Sequence, residues 1–253
     1  MLSHERQAVI LEKLSTEGRV LSAELSQALA VSEDTVRRDL RALAEAGLLV
    51  KVHGGAIPRS TTKLQFAERT QESQAEKRAI AREAVRLIQP GMVVFFDAGT
   101  TALEAARSVA PEVAFTAVTH SPLAAAALCE LPGAEVVLIG GRMLKRGQLA
   151  VGPETVAGYR RMRANLCFLG ICCVHADSGI TDPSYDETLV KQAMIESASE
   201  VVVVAGGDKL GKVSNFVVAP AASVDRLITD TTAPEPAVAA LRAAGIDVTI
   251  VDG

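Results

Sequence analysis

The chain has 253 residues, of which 49% are hydrophobic, 22% charged and 3% aromatic, with no Trp and four Cys. That length exceeds one small domain and that apolar content excludes wholesale disorder; a core of Ala, Val, Leu and Ile suits buried parallel strands covered by helices. The formal net charge of −4 excludes recognition of a polyanion by bulk charge, so any nucleic-acid binding has to rest on where individual charges sit.

Three short helical patterns open the chain. The first carries Ile10, Leu11 and Leu14 on one face and is expected to end near Gly18. Leu25, Ala28 and Leu29 mark the second, with Ser22 as its expected N-cap. Val36, Leu40, Leu43 and Ala44 mark the third, capped by Ser32 and stopped by Gly47. The gap between the second and third is about the turn of a helix-turn-helix. Leu48–Val52 then reads as a strand, and His53-Gly54-Gly55 as a glycine turn, together a candidate wing.

In the third helix, stepping about 100° per residue puts Val36, Leu40 and Leu43 on one inward face. Asp34, Arg38 and Arg41 then point most directly outward, with Thr35 and Arg37 on the flanks. Such a face suits the major groove of double-stranded DNA, because Arg pairs bidentately with guanine and Thr contacts a base edge or a phosphate. The helix start at Ser32 offers free N–H groups to a phosphate, and Lys51 and His53 on the wing reach flanking phosphates. The competing reading is a small helical domain with a solvated face of mixed charge. Bulk charge does not separate the two, since the first sixty residues balance eight basic against eight acidic side chains.

From Pro58 to Gln74 the chain is polar, with Ser60, Thr61 and Thr62 in a row, and reads as a linker. Beyond Ala75, apolar strands are expected at Met92–Asp97, Ala114–Thr119, Glu135–Ile139, Leu166–Gly170, Val201–Ala205, Arg226–Thr229 and Val248–Val251. Helical stretches fall between most of them: Thr101–Val109, Leu123–Leu131, Glu187–Ser199 and Pro236–Ala244. The alternation predicts an open, mostly parallel α/β domain. The resulting division is 1–57 winged helix-turn-helix, 58–74 linker and 75–253 α/β domain.

The strand running into Asp97-Ala98-Gly99-Thr100-Thr101 is followed by a helix. A strand-to-helix turn with glycine and two hydroxyls suits a phosphate, through backbone N–H groups and the helix N-terminus. The alternative is a simple N-cap at Thr100 or Thr101. Two other strand ends, at Thr119-His120-Ser121 and at Gly140-Gly141, are candidates to converge there; tight turns are the alternative for the glycines. Lys209 can pair with an anion.

Val31-Ser32-Glu33-Asp34-Thr35-Val36-Arg37-Arg38-Asp39-Leu40, followed by Val52-His53-Gly54-Gly55-Ala56, closely resembles the recognition helix and wing of the DeoR family of bacterial regulators. Phe66-Ala67-Glu68-Arg69, Glu76-Lys77-Arg78-Ala79-Ile80-Ala81 and Asp97-Ala98-Gly99-Thr100-Thr101 resemble its linker, first effector-domain helix and D-x-G-T-T loop. The resemblance implies a transcriptional regulator, expected to repress carbohydrate genes, with an effector domain of the ribose-5-phosphate isomerase-like fold. Its implied partners are operator DNA, a phosphorylated sugar and further copies of itself, as a dimer or tetramer. It also implies that Asp39 orients Arg37 or Arg38. Effector residues it implies are Asp97, Gly99, Thr100, Thr101, Thr119, His120, Ser121, Gly140, Gly141, Lys191 and Lys209. Lys191, in a segment resembling a pocket edge, reads by itself as a solvated charge. The chain departs from the family pattern with His120 in place of Asn. In the segment that usually reads D-x-S-K, Gly206 replaces the Asp and Asp208 the Ser.

Cys172, Cys173, His175 and Asp177 cluster in sequence, yet adjacent residues on a strand face opposite ways, which argues against a metal site. Asp97, Asp177, Asp182 and Glu187 are the carboxylates an isomerase reading would need. A DNA-reading module has no purpose in a metabolic enzyme, so neither catalytic residue nor cofactor is expected. With no signal-peptide core, no apolar run long enough for a bilayer and no secreted-type cysteine framework, the expected compartment is the cytoplasm, away from any membrane.

Overall fold

The computed structural model describes residues 2–17, 19–58 and 66–253, with the backbone alone at 15–17. The expected helix end at Gly18 and the polar run Ser60–Thr62 lie outside the described residues.

The N-terminal module runs α1 (Ser3–Glu17), β1 (Val20–Leu21), α2 (Ser22–Leu29), α3 (Glu33–Glu45), β2 (Leu49–Val52) and β3 (Gly55–Pro58). Ile10, Leu14, Leu25, Val36, Leu40 and Leu43 meet Val20, Leu49 and Ala56 in its core. Each large aliphatic side chain buried there contributes about 1.5–3 kcal/mol. Ser32 caps α3, its Oγ accepting from the Thr35 N–H at 3.2 Å. Ser22 is not the cap of α2. It is the first residue of that helix, and Leu21 stands at the cap without a side-chain bond. The three strands form an antiparallel sheet in the order β1-β3-β2. Gly54 turns the chain at φ +78°, and a Cβ on Gly55 would lie 1.9 Å from the Val20 carbonyl oxygen. The two wing glycines are therefore required by turn geometry and by close approach of β1.

The rest of the chain begins with α4 (Phe66–Gln71) and α5 (Gln74–Val85). Then follow β4 (Val93–Phe96), α6 (Thr100–Ser108), β5 (Phe115–Thr119), α7 (Pro122–Cys129), β6 (Ala134–Leu138), β7 (Arg142–Leu144), β8 (Leu149–Val151) and α8 (Pro153–Arg160). Next come β9 (Ala164–Leu169), β10 (Cys173–His175), β11 (Gly179–Asp182), α9 (Tyr185–Glu196) and β12 (Ala198–Val204). The chain closes with β13 (Phe216–Ala219), β14 (Arg226–Asp230), α10 (Glu235–Ala243) and β15 (Asp247–Val251).

Seven of these strands form one parallel sheet in the order β15-β14-β12-β9-β4-β5-β6. They are the seven strands expected from the apolar runs. Alternate residues face the two helical layers. Val94 and Phe96 join Ile80, Leu103 and Leu128 on one side, while Phe95 joins Tyr159, Met194 and Leu241 on the other. Residues 66–71, read as linker, are helical, and Phe66 is buried in the core of the α/β domain. A hairpin β7–β8 and a small antiparallel sheet β10-β11-β13 flank the main sheet.

The order of the sheet positions the site. From β4 the chain builds outward through β5 and β6, then returns to the opposite side of β4 to lay down β9, β12, β14 and β15. The winding reverses between β4 and β9, and open α/β sheets bind ligands at such a switch point, beyond the carboxyl ends of the strands.

Candidate nucleic-acid interface and ligand cavity

In α3 the apolar residues Val36, Leu40 and Leu43 are buried while Arg37, Arg38 and Arg41 are exposed, as are Ser32, Lys51 and His53; Thr35 is half-buried. Arg37 pairs with Glu33 at 2.9 Å and Arg38 with Asp34 at 3.2 Å, each one turn back along the helix. Exposed pairs of this kind are weak and give way readily to a phosphate or a base. Asp39 does not orient either arginine. It is buried on the inner side of α3, where it takes hydrogen bonds from Ser3 and from Arg6 of α1. Burial alone would raise its pKa, but those bonds and the Arg6 charge hold it below the usual carboxylate range.

The C-terminal ends of β4 and β9 open onto a cavity of about 480 Å³, a size that accommodates a small metabolite. Asp97, Gly99, Thr100, Thr101, Lys191 and Lys209 line it. Gly99 stands at the N-cap of α6 without a side-chain cap, so the first N–H groups of that helix are presented to the cavity. On the floor, Lys191 donates to Asp97 Oδ2 at 2.7 Å and to the Gly170 carbonyl at 2.7 Å. Asp97 Oδ2 also accepts from the Gly170 N–H at 3.0 Å. Burial pushes the Asp97 carboxyl up, but the Lys191 ammonium and the bonds it receives hold it low. Lys191 is in turn kept charged, against the effect of burial, by Asp97, Asp182 and Glu187. It is therefore a buried ion-pair partner and not a solvated charge.

Thr119, His120, Ser121, Gly140 and Gly141 do not line this cavity. Thr119 Oγ1 accepts from the Ser121 N–H, and Ser121 Oγ caps α7. His120 lies behind Asp97, 3.6 Å from its Oδ1, with Nδ1 2.8 Å from the Tyr159 hydroxyl. Burial, only partly offset by Asp97, lowers its pKa to about 4; it is neutral near pH 7. At Gly141 a Cβ would lie 2.2 Å from Thr155 Oγ1, so close packing accounts for that glycine.

Other residues of the wall were not assigned to a ligand site from the sequence: Arg69 on α4, Ser73 and Lys77 around the start of α5, Lys212 in the loop after β12 and Asp230 at the end of β14. Cys172 and Glu187, singled out in the sequence for a metal and an isomerase reading, also line it. Burial pushes the Cys172 thiol up to about 12 and also raises Glu187. The Cys172 thiol therefore stays protonated near pH 7 and is not a ready nucleophile. The glycine at 206 has a local reason. A Cβ there would lie 2.8 Å from Asp208 Oδ1 and 3.3 Å from Asp230 Oδ2, so an Asp at 206 would crowd three carboxylates together. Asp230 holds the loop itself, accepting from the Gly207 and Thr232 N–H groups. No helix among the described residues is long and apolar enough to cross a membrane.

Two family models match the chain: the DeoR-like helix-turn-helix domain over residues 6–62 and the DeoR C terminal sensor domain over residues 72–231. The transcriptional regulator GlpR of Haloferax volcanii is 39% identical, over 100% of this chain and 99% of its own. The putative aga operon transcriptional repressor of Escherichia coli O157:H7 is 31% identical over 98% of this chain and 93% of its own. The transcriptional repressor GlcR of Bacillus subtilis is 32% identical over 91% and 89%. Among solved structures, a ribose 5-phosphate isomerase A from Methanocaldococcus jannaschii is similar over 52% of each chain, at 18% identity and a TM-score of 0.38, a likeness too distant to bear on chemistry. The relatives are regulators along nearly their whole length, and both halves of the chain are matched in the same order. The chain belongs to the DeoR family of helix-turn-helix transcriptional regulators.

Proposed function

We propose that this regulator represses carbohydrate-metabolism genes and that a phosphorylated sugar or related metabolite modulates its grip on operator DNA. The observation that carries the reading is a cavity at the switch point of the sheet, where Lys209 and the hydroxyls and N-terminus of α6 face the same space. Cations and unpaired N–H groups around one polar hollow suit an anionic ligand of metabolite size. Two relatives are themselves named repressors, which supports the sign. On the DNA side, Arg37, Arg38 and Arg41 enter the major groove, with Thr35 at a base edge or phosphate. The N-terminus of α3 at Ser32 and the wing residues Lys51 and His53 meet phosphates. A single module this small reads one half-site, so the acting species is a homo-oligomer.

The test pairs two sets of variants of the full chain. Arg38→Ala weakens operator binding by about 1–3 kcal/mol, measured by fluorescence anisotropy at fixed salt. Thr100→Ala and Lys209→Ala leave operator affinity unchanged and blunt its response to a panel of sugar phosphates. A chain whose operator affinity responds to no phosphorylated sugar, or equally to the free sugars, would overturn the effector assignment.

A further inference from the structure

The recognition helix opens with two acids, Glu33 and Asp34, although its target is a polyanion. An acid in the first turn favours the helix dipole, an effect that Glu33 already supplies. Glu33 lies toward the flank of α3 and pairs with Arg37. Asp34 lies on the outermost ridge, with Arg38 and Arg41, where a phosphate backbone would repel it. Its side chain is 78% exposed and that of Arg38 69%. Asp39, by contrast, is buried against Arg6, so Asp34 is the aspartate of this helix that DNA meets.

The first residues of a recognition helix come closest to the base edges. The sequence of α3 suits that entry: the short side chains of Ser32, Asp34 and Thr35 stand at its start, and the long ones of Arg37, Arg38 and Arg41 follow. The ion pair between Arg38 Nη2 and Asp34 Oδ2, at 3.2 Å, draws the guanidinium back toward the entering end. It engages one nitrogen and one oxygen, which leaves the rest of both groups for base edges. A carboxylate only accepts hydrogen bonds. In the major groove guanine and thymine present acceptors, adenine an N6 donor beside the N7 acceptor, and cytosine an N4 donor alone. Cytosine is thus the base that offers Asp34 a donor without an acceptor beside it on the same edge. The other bases leave the carboxylate opposed or poorly paired as water is displaced, which is costly for a charged group.

Resting on the reading that α3 enters the major groove, we infer that Asp34 is a specificity-determining residue that accepts a hydrogen bond from N4 of a cytosine next to the guanine read by Arg38. Residues four apart are displaced by about 6 Å along a helix, against about 3.4 Å between successive bases, so the two side chains read neighbouring base pairs. Asp34 contributes discrimination more than grip, because it penalises the wrong base more than it rewards the right one.

The probe is a library of randomised DNA duplexes, selected with the full chain at fixed salt and sequenced. Single-base variants of the selected site are then titrated by fluorescence anisotropy. The wild-type chain selects cytosine beside a guanine in each half-site and binds the other three bases there about ten-fold more weakly. Asp34→Ala closes that gap, chiefly by tightening the wrong sites, and keeps the preference for guanine. Asp34→Asn moves the preference from cytosine to adenine, since an amide pairs bidentately with adenine N6 and N7. Arg38→Ala relaxes the guanine position. Glu24→Gln, at an exposed acid of α2, changes no preference. A role in the helix dipole alone would shift the affinity for all sites together and leave the preferences as they were. If Arg38→Ala relaxes a guanine, yet the wild type selects another base beside it or both Asp34 variants keep the cytosine, the assignment of Asp34 is wrong while the groove reading stands. If Arg38→Ala also leaves every preference unchanged, both fall.

Discussion

His120 shows how one residue acquires a property that its type does not announce. It sits behind Asp97, beside Tyr159 and within the field of Lys191, with almost no exposure. Burial outweighs the attraction of Asp97 and leaves it neutral, with a pKa of about 4. In the unfolded chain it takes a proton near pH 6.5, which the folded chain refuses until about pH 4. The sign follows: stability is fully present above pH 6.5 and falls as the pH drops from there toward 4, by roughly 3 kcal/mol over the interval. His120→Asn, which restores the residue usual at this position in the family, should remove that slope. Denaturant unfolding at pH 7, 6 and 5 measures it, and the difference between the two proteins isolates His120 from Glu187, whose raised pKa acts in the opposite direction. Equal slopes would show that some other group carries the acid sensitivity. The sequence marked His120 as a departure from the family pattern. It did not reveal that the ring stands outside the cavity, because which neighbours bury a strand-end residue depends on elements far along the chain.

At the scale of elements, the recognition helix was legible because its period, its cap and its stop residue agree. Its buried acid was not. Asp39 lies between the outward arginines in sequence, yet its partner Arg6 is on α1, 33 residues earlier. That pair fastens α1 to α3 and so sets the angle at which Arg37, Arg38 and Arg41 are presented. Asp39→Asn should lower the melting temperature of the N-terminal module by about 5 °C. A carboxyl held low in the folded state stabilises above its unfolded pKa of about 3.9 and loses that contribution as the pH falls through its folded value. The gap between the variant and the wild type should therefore begin to narrow as the pH falls below about 4. A circular-dichroism melt of the two proteins across pH 3–7 checks it, and a constant gap down to the lowest pH would exclude the ionised pair as the cause. The short elements escaped sequence reading for a different reason. β7, β8 and β10 have three residues each, too few for a period to show, and α4 was masked by its polar composition although Phe66 anchors it.

For the molecule as a whole, the floor of the cavity is also part of what holds the C-terminal domain together. Lys191 on α9 bonds Asp97 at the end of β4 and Gly170 beyond β9, and lies 3.9 Å from Asp182 at the end of β11. Lys191→Met would leave two buried carboxylates without their cation, a change that typically costs about 3–5 kcal/mol. Calorimetry should then show the C-terminal domain melting earlier, with the transition of the N-terminal module unchanged. An unchanged C-terminal transition would mean that Asp97 and Asp182 find other partners. By itself the sequence determined the main elements of both domains: the capped amphipathic recognition helix, the glycine wing and the seven apolar strands of the main sheet, because those are set by local periodicity and turn chemistry. Tertiary structure alone decided which strand ends meet. The reversal of winding between β4 and β9 brings together residues 69–77, 97–101, 170–172, 187–191 and 206–212 and leaves out residues 119–121 and 140–141. Strand order depends on how distant faces pack, and no short window of sequence carries that information.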